Sequence, residues 1–314
     1  MKFVRSLFFS FLTFYSFTFY SCSSGSKSNE DDDVTSGSIK IAVDEAYQPL
    51  INTEVDTFTK LYRYSKIAAT YESETEAFND LIKDSVRLVV SSRQLNDDEK
   101  KYFTKINLEP RVTKIAVDAI ALIVHDDNND TLLKYERVQD IFTGKIKSWK
   151  QLDAKSSLDS IIIVFDHAGS GNVRYLKETF FKDQPLPSNC FAANSNKEVI
   201  EYVRQHKNAI GVIGVNWISD NNSEEANNFL SMIHVVSLSP PFNAPYSDGY
   251  FKPYPYYTAL KQYPLVRDVY IVSREARAGL GTGFASFVAG DAGQRIVRLR
   301  GMLPATIPIR VVTY

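Results

Sequence analysis

Between residues 38 and 90 the chain alternates short apolar runs with segments whose apolar positions recur at helical spacing. Ile39-Lys40-Ile41-Ala42-Val43 has strand character and ends on Asp44-Glu45. Residues 50–61 place Leu50, Val55, Phe58 and Leu61 on one helical face, and 66–71 read as a second strand. Residues 74–83 carry Ala77, Phe78, Leu81 and Ile82 at helical spacing, and 86–90 are a third, buried strand. Strand, helix, strand, helix, strand requires parallel pairing through right-handed crossovers, so the chain is α/β.

The same texture continues. A long apolar strand over 115–124 leads into the Asx-rich loop His125-Asp126-Asp127-Asn128-Asn129-Asp130. Helices are expected near 137–142, 172–181, 198–205 and, as one continuous helix, 283–300. Strands are expected at 161–165, 209–215 and 269–272, while the Pro- and Tyr-rich stretch 240–257, with Tyr246, Tyr250, Tyr254, Tyr256 and Tyr257, reads as loop. No period of a solenoid repeat is present.

The first segment has another character. Met1-Lys2-Phe3-Val4-Arg5 precedes a Phe-rich apolar stretch over 7–20, the pattern of a secretory signal and short for a membrane span. Tyr20-Ser21-Cys22 then sets a small residue before a cysteine, as in bacterial lipoprotein signals, although Phe19 stands where an aliphatic is usual. Lipidation at Cys22 is the expectation, with ordinary cleavage or an uncleaved anchor as alternatives. Residues 22–37, rich in Ser, Gly, Asn and Asp, form a flexible tether with too little apolar surface to fold.

The only other cysteine, Cys190, then lacks a disulfide partner and suits a small buried apolar role. With 36 basic and 37 acidic side chains and no basic block, nucleic acid is not expected as a partner. The four histidines show no metal-binding spacing, and the 125–130 loop lacks the glycine and distal Glu of a calcium loop, so neither metal nor cofactor is expected. His167 and Ser170 lack the G-x-S-x-G setting of a hydrolase nucleophile, which argues against an enzyme.

Several motifs carry a resemblance. Asp118-Ala119-Ile120-Ala121-Leu122-Ile123-Val124, Asp140-Ile141-Phe142-Thr143-Gly144-Lys145-Ile146 with Trp149, Ser91-Ser92-Arg93-Gln94-Leu95, Tyr263-Pro264-Leu265 and Gly301-Met302-Leu303-Pro304 occur in order over residues 38–310. In these the chain resembles the PstS-type phosphate-binding receptors of bacterial ABC importers. That resemblance implies a two-lobed type II periplasmic-binding-protein fold with two crossover strands. Lobe 1 would take residues 38–118 plus 265–314, and lobe 2 residues 119–264. It further implies capture of phosphate or a related oxyanion by a monomer in the cell envelope, delivering to a permease and ATPase on separate chains. An envelope sensing or interaction protein with a different or lost ligand is the alternative. In the 140–149 motif, Gly144 suits a left-handed cap, and Ile141, Phe142, Ile146 and Trp149 are expected in the core.

Candidate ligand contacts follow from oxyanion chemistry. Gly169-Ser170-Gly171-Asn172, between a strand and a helix, can present backbone N–H groups and side-chain donors; the family has Gly-Ser-Gly-Thr here. Ser73 and Thr75 open a helix after the second strand. Ser92 and Arg93 stand at the carboxyl end of a parallel strand, where Arg93 could fork an oxyanion or pair with a glutamate of the 72–76 loop. Glu45 and Ala46, with Asp44, form the first loop. Asp166 stands where the family has Arg, so it must hold a proton, pair with Arg93 or Arg174, or signal another ligand.

Overall fold

The computed structural model describes residues 33–182, 185–219, 231–245 and 248–306. The expected signal, Cys22 and most of the tether, together with Tyr246 and residues 307–314, lie outside the described residues.

Three strands begin the fold: β1 (Gly37–Asp44), β2 (Ser65–Glu72) and β3 (Leu88–Ser91). β1 is central and pairs in parallel with both others, as the strand–helix alternation requires. Helices α1 (Gln48–Leu61) and α2 (Glu74–Ile82) make the two crossovers. A third helix, α3 (Asp97–Lys105), was not expected from periodicity. It is short and polar, and a capping box in which Asn96 and Glu99 exchange bonds fixes its start.

The long strand β4 (Arg111–His125) organises everything else. After it come β5 (Leu132–Leu133), α4 (Tyr135–Phe142), β6 (Ile162–Phe165), α5 (Gly171–Leu176), β7 (Cys190–Ala192), α6 (Asn196–Gln205) and β8 (Ala209–Gly214). Next are β9 (Ile233–Val235), β10 (Ser237–Leu238), α7 (Pro255–Ala259), β11 (Val266–Ser273), α8 (Leu280–Ala289), α9 (Asp291–Leu299) and β12 (Leu303–Pro304). The strand order is β2-β1-β3-β11-β4-β8-β6-β7, and β9 and β12 also pair with β4.

From Arg111 to Ala119, β4 runs antiparallel to β11; from Ile120 to Val124 it runs antiparallel to β8. One strand therefore belongs to both lobes and changes partner between Ala119 and Ile120. The chain returns beside this point, where the Ile120 amide donates to the Leu265 carbonyl at 2.9 Å.

The expected continuous helix over 283–300 is two helices. Gly290 is extended at φ −82° and ψ 175°, and the next turn restarts at Asp291. The bend lets Gly293 pack on the Val288 backbone, where an added Cβ would lie 2.5 Å from Val288 Cα. Likewise the helix expected over 172–181 keeps regular α geometry only to Leu176, followed by a π turn over Lys177–Phe181. Ile141, Phe142, Ile146 and Trp149 are core, and Gly144 has φ +72°. Cys190 is half-buried, and burial pushes its thiol up to about 12, which keeps it protonated and unreactive.

Helix α1 buries Leu50, Ile51, Glu54 and Phe58, with the Phe58 ring edge-on to Phe284 at 5.5 Å. Glu54 is the exception on that face: it is fully buried and neither carboxyl oxygen has a hydrogen-bond partner. Burial pushes it up to about 9, so the fold holds it protonated at neutral pH. A raised folded pKa gives stability that is complete below the unfolded value and is lost as pH rises toward 9. Glu54→Gln should therefore flatten the fall of stability between pH 5 and 9, a difference of roughly 3 kcal/mol at pH 7 by urea unfolding. Equal pH slopes in the two proteins would refute the assignment.

Candidate functional site

The candidate residues come together where the carboxyl ends of β1 and β3 face α5 and the start of α6. Asp44 ends β1 and caps the single turn Glu45–Tyr47, its Oδ1 accepting from the Ala46 amide at 3.2 Å. Ser73 caps α2 in a capping box with Glu76, which leaves Glu74 in the first turn, buried. Ser91 and Ser92 follow from the end of β3. Across the gap, Asp166 directly follows β6, and Ser170 caps α5 by accepting from the Val173 amide at 3.2 Å.

The two sides are bonded to each other through acidic side chains. The Gly171 amide donates to Asp44 Oδ2 at 3.1 Å. The Asn196 amide donates to Glu45 Oε2 at 3.1 Å, and the Asn196 side-chain amide donates to the same carboxylate. Arg174 donates from Nε to Glu74 Oε1 at 2.6 Å and from Nη2 to Ser92 Oγ at 2.8 Å. At the rim, the Thr75 amide and hydroxyl both donate to the Gly169 carbonyl at 3.2 Å. Gly171 is required by this approach: a Cβ there would fall 2.3 Å from Asp44 Oδ2 and 2.6 Å from Ser92 Oγ.

Asp166 is fully buried, and neither arginine anticipated for it makes the contact. Its partners are Ser170, whose hydroxyl donates to Oδ1, and the side-chain amides of Asn172 at 2.8 Å and Asn196 at 3.2 Å. Arg174 is spent on Glu74 and Glu178. Arg93 forks Glu99 at 2.7 and 2.9 Å, lies 3.4 Å from Glu74, and covers the Phe78 ring. The Arg93 fork is thus engaged by α3 rather than by the cleft, because the Glu99 of the capping box lies within its reach.

The arginine that reaches the cleft floor is Arg267 of β11, which sequence reading did not single out. It is buried, and its Nη2 donates to Asp118 Oδ2 at 2.9 Å and to Asn172 Oδ1 at 2.7 Å. Asp118 is its direct cross-strand partner on β4. The available signal was a single aspartate at the head of the apolar run of β4, because a buried carboxylate demands a partner.

Burial sets the protonation of the group. Burial, then the neighbouring Glu74 and Asp166 carboxylates, raise Asp44 well above the usual range, and burial raises Glu45 against its Asn196 hydrogen bonds. Asp166 is pushed up to about 7, first by burial. Burial also works against ionisation of Glu74, but Arg174, Ser91 and Arg93 outweigh it and hold that carboxyl low. The cleft therefore joins one carboxylate held ionised by arginine to three whose burial favours the proton, and a protonated carboxyl can donate to an oxyanion. Arg174 and Arg93 take up the charge of Glu74, and Arg267 that of Asp118. The acidic loop at His125, Asp126 and Asp127 is engaged by Lys207.

Comparison with known proteins agrees with this fold. The model of the PBP superfamily domain matches residues 28–292. The phosphate-binding protein PstS of Staphylococcus saprophyticus is 23% identical over 273 residues, covering 84% of this chain and 78% of that one. PstS of Borreliella burgdorferi is 22% identical, covering 84% and 89%. Among solved structures, a candidate phosphate ABC transporter substrate-binding protein from Clostridium perfringens, with bound phosphate, superposes with a TM-score of 0.72 at 23% identity. That match covers 86% of this chain and all of the other. An ABC-type phosphate transport receptor from Vibrio cholerae gives 0.61 at 18%, covering 84% and 99%. The chain therefore belongs to the PBP superfamily.

Proposed function

We propose that this protein is an extracytoplasmic solute-binding protein, anchored by lipid at Cys22, that captures phosphate or a related oxyanion and delivers it to an ABC permease and ATPase on separate chains. It acts as a monomeric carrier without catalysis, with lobes 38–118 plus 265–314 and 119–264 closing about the change of partner in β4. The observation that carries this reading is that the Ser170 hydroxyl, the Gly171 amide, Ser92 and Arg174 are brought together across the cleft, each engaged there by a buried carboxylate of Asp166, Asp44 or Glu74. Those are oxyanion donors. The names and bound phosphate of the relatives support the ligand class.

The acidic residues decide how such a ligand is held. Asp44 and Glu74 accept the hydrogen bonds of Gly171 and Arg174 that an oxyanion would otherwise accept. An incoming anion must therefore displace the ionised Glu74 from Arg174, and either displace Asp44 or bind beside its protonated form. The same observation favours, as the second reading, an envelope sensing or interaction protein in which the carboxylates hold the lobes together in place of a ligand. Calorimetric titration with phosphate at pH 7 separates the two. One-to-one binding supports the carrier, and no heat at millimolar phosphate supports the second reading.

A bound anion raises the pKa of any neighbouring carboxyl, so binding takes up a proton and weakens as pH rises through 7, the range in which Asp166 titrates. The contribution of one such group approaches roughly tenfold in affinity per pH unit. Asp166→Asn should remove that part of the slope, and comparison of mutant with wild type cancels the titration of phosphate itself. Identical slopes would exclude Asp166 from the ligand's surroundings.

Gly171→Ala provides an independent check on closure. Its Cβ overlaps Asp44 Oδ2 and Ser92 Oγ, so closure should cost about 1–3 kcal/mol and phosphate affinity should drop roughly 10- to 100-fold. Wild-type affinity in that variant would show that the ligand does not require this approach of the lobes.

A further inference from the structure

Three buried polar atoms without a well-formed hydrogen bond, the Tyr47 hydroxyl beside Ser92, Asn216 Oδ1 and Arg267 Nη1, belong to side chains that meet at the Glu45–Tyr47 turn. They come from three separate elements. Tyr47 ends the turn after β1, Asn216 lies in the turn Val215–Trp217 after β8, and Arg267 is in β11. The Asn216 side-chain amide donates to the Ala46 carbonyl at 2.8 Å, next to Tyr47, and the Arg267 guanidinium stands 5.3 Å from the Tyr47 ring centre. Gly214 ties the group to the hinge, since a Cβ there would lie 3.1 Å from Asn216 Nδ2 and 3.5 Å from Asp118 Oδ2.

Leaving such atoms unpaired is costly, and all three are fully buried. The Arg267 fork is also divided in a telling way. Nε and Nη2 hold Asp118 at 3.1 and 2.9 Å on one side, which leaves the Nη1–Nη2 end facing lobe 2. At that end Nη2 donates to Asn172 Oδ1, an atom of α5 at the Gly169–Asn172 turn, while Nη1 has no acceptor. Asn172 belongs to the lobe that moves when β4 hinges at Ala119 and Ile120. Its withdrawal exposes two parallel N–H groups, the arrangement that binds an oxyanion bidentately.

We propose that Arg267 is the ligand-binding arginine of this cleft: its Nη1 and Nη2 grip one edge of the oxyanion in place of Asn172 Oδ1, the Tyr47 hydroxyl donates beside them, and Asn216 Oδ1 accepts from an O–H that the oxyanion retains. This assignment rests on the oxyanion reading above. It supplies the cleft with a cation from the hinge strand although residue 166 is an aspartate. Arg267 remains charged throughout, with Asp118 fixing its orientation from the opposite strand.

The test is calorimetric titration of wild type, Arg267→Lys and Tyr47→Phe with phosphate and with arsenate, together with thermal unfolding of each protein without anion. Arg267→Lys keeps the charge beside Asp118 and loses the fork, so affinity should fall 30-fold or more. Tyr47→Phe should bind about tenfold more weakly while unfolding at an equal or higher temperature, because it removes an unsatisfied buried hydroxyl. A purely structural tyrosine would give no such opposition of affinity and stability. Wild-type affinity in either folded variant overturns the assignment, and if Arg267→Lys does not fold, Tyr47→Phe decides alone. A wild-type protein that takes up neither anion overturns the oxyanion reading itself, and the assignment with it.

Discussion

The Asp118–Arg267 pair sits one residue from the point where β4 exchanges β11 for β8, and the relation between the two lobes depends on it. Both groups are almost completely excluded from water. Such a pair contributes little net stability, yet removing one member costs about 3–5 kcal/mol because the other is left charged and buried. Its value is positional. Arg267 divides its hydrogen bonds between Asp118 on the crossover strand and Asn172 in the second lobe, so the hinge and the Gly169–Asn172 turn share one guanidinium. The site and the hinge are adjacent parts of one hydrogen-bonded unit.

Much of this architecture is legible in the sequence, because its signals are local. The β1-α1-β2-α2-β3 alternation needs only apolar spacing, and Trp149 and Phe142 lie in the core as their motif suggested. Ser73 and Ser170 cap helices because each stands directly before one. What stays hidden is whatever joins distant parts of the chain. Arg267 and Asp118 are strand partners far apart in sequence, and Arg174 meets Glu74 only because the lobes face each other. Gly290 breaks a continuous apolar pattern into α8 and α9 although periodicity runs through it, since the break is set by backbone packing at Gly293. Arg93 was legible as a cation at a strand end, but its engagement by Glu99 depended on a helix too polar to announce itself.

The acidic character of the cleft has a physical logic that an apolar interface would lack. Hydrophobic closure would hold the lobes together in proportion to the area buried, with or without a ligand. Charged and polar contacts behave differently: when the lobes part, Asp44, Glu45, Glu74 and their partners recover their hydration, and this offsets most of what pairing provided. If the lobes open and close as proposed, the balance between the two forms is then shallow, and a group that adds donors, acceptors or a proton at the centre can tip it. Because Asp166 is poised near neutrality, the proton is one of those groups, so the solution pH and the ligand act on the same buried network. In the proposed carrier, closure would be set by electrostatics at the floor of the cleft, where Arg267 and Asp166 meet through Asn172.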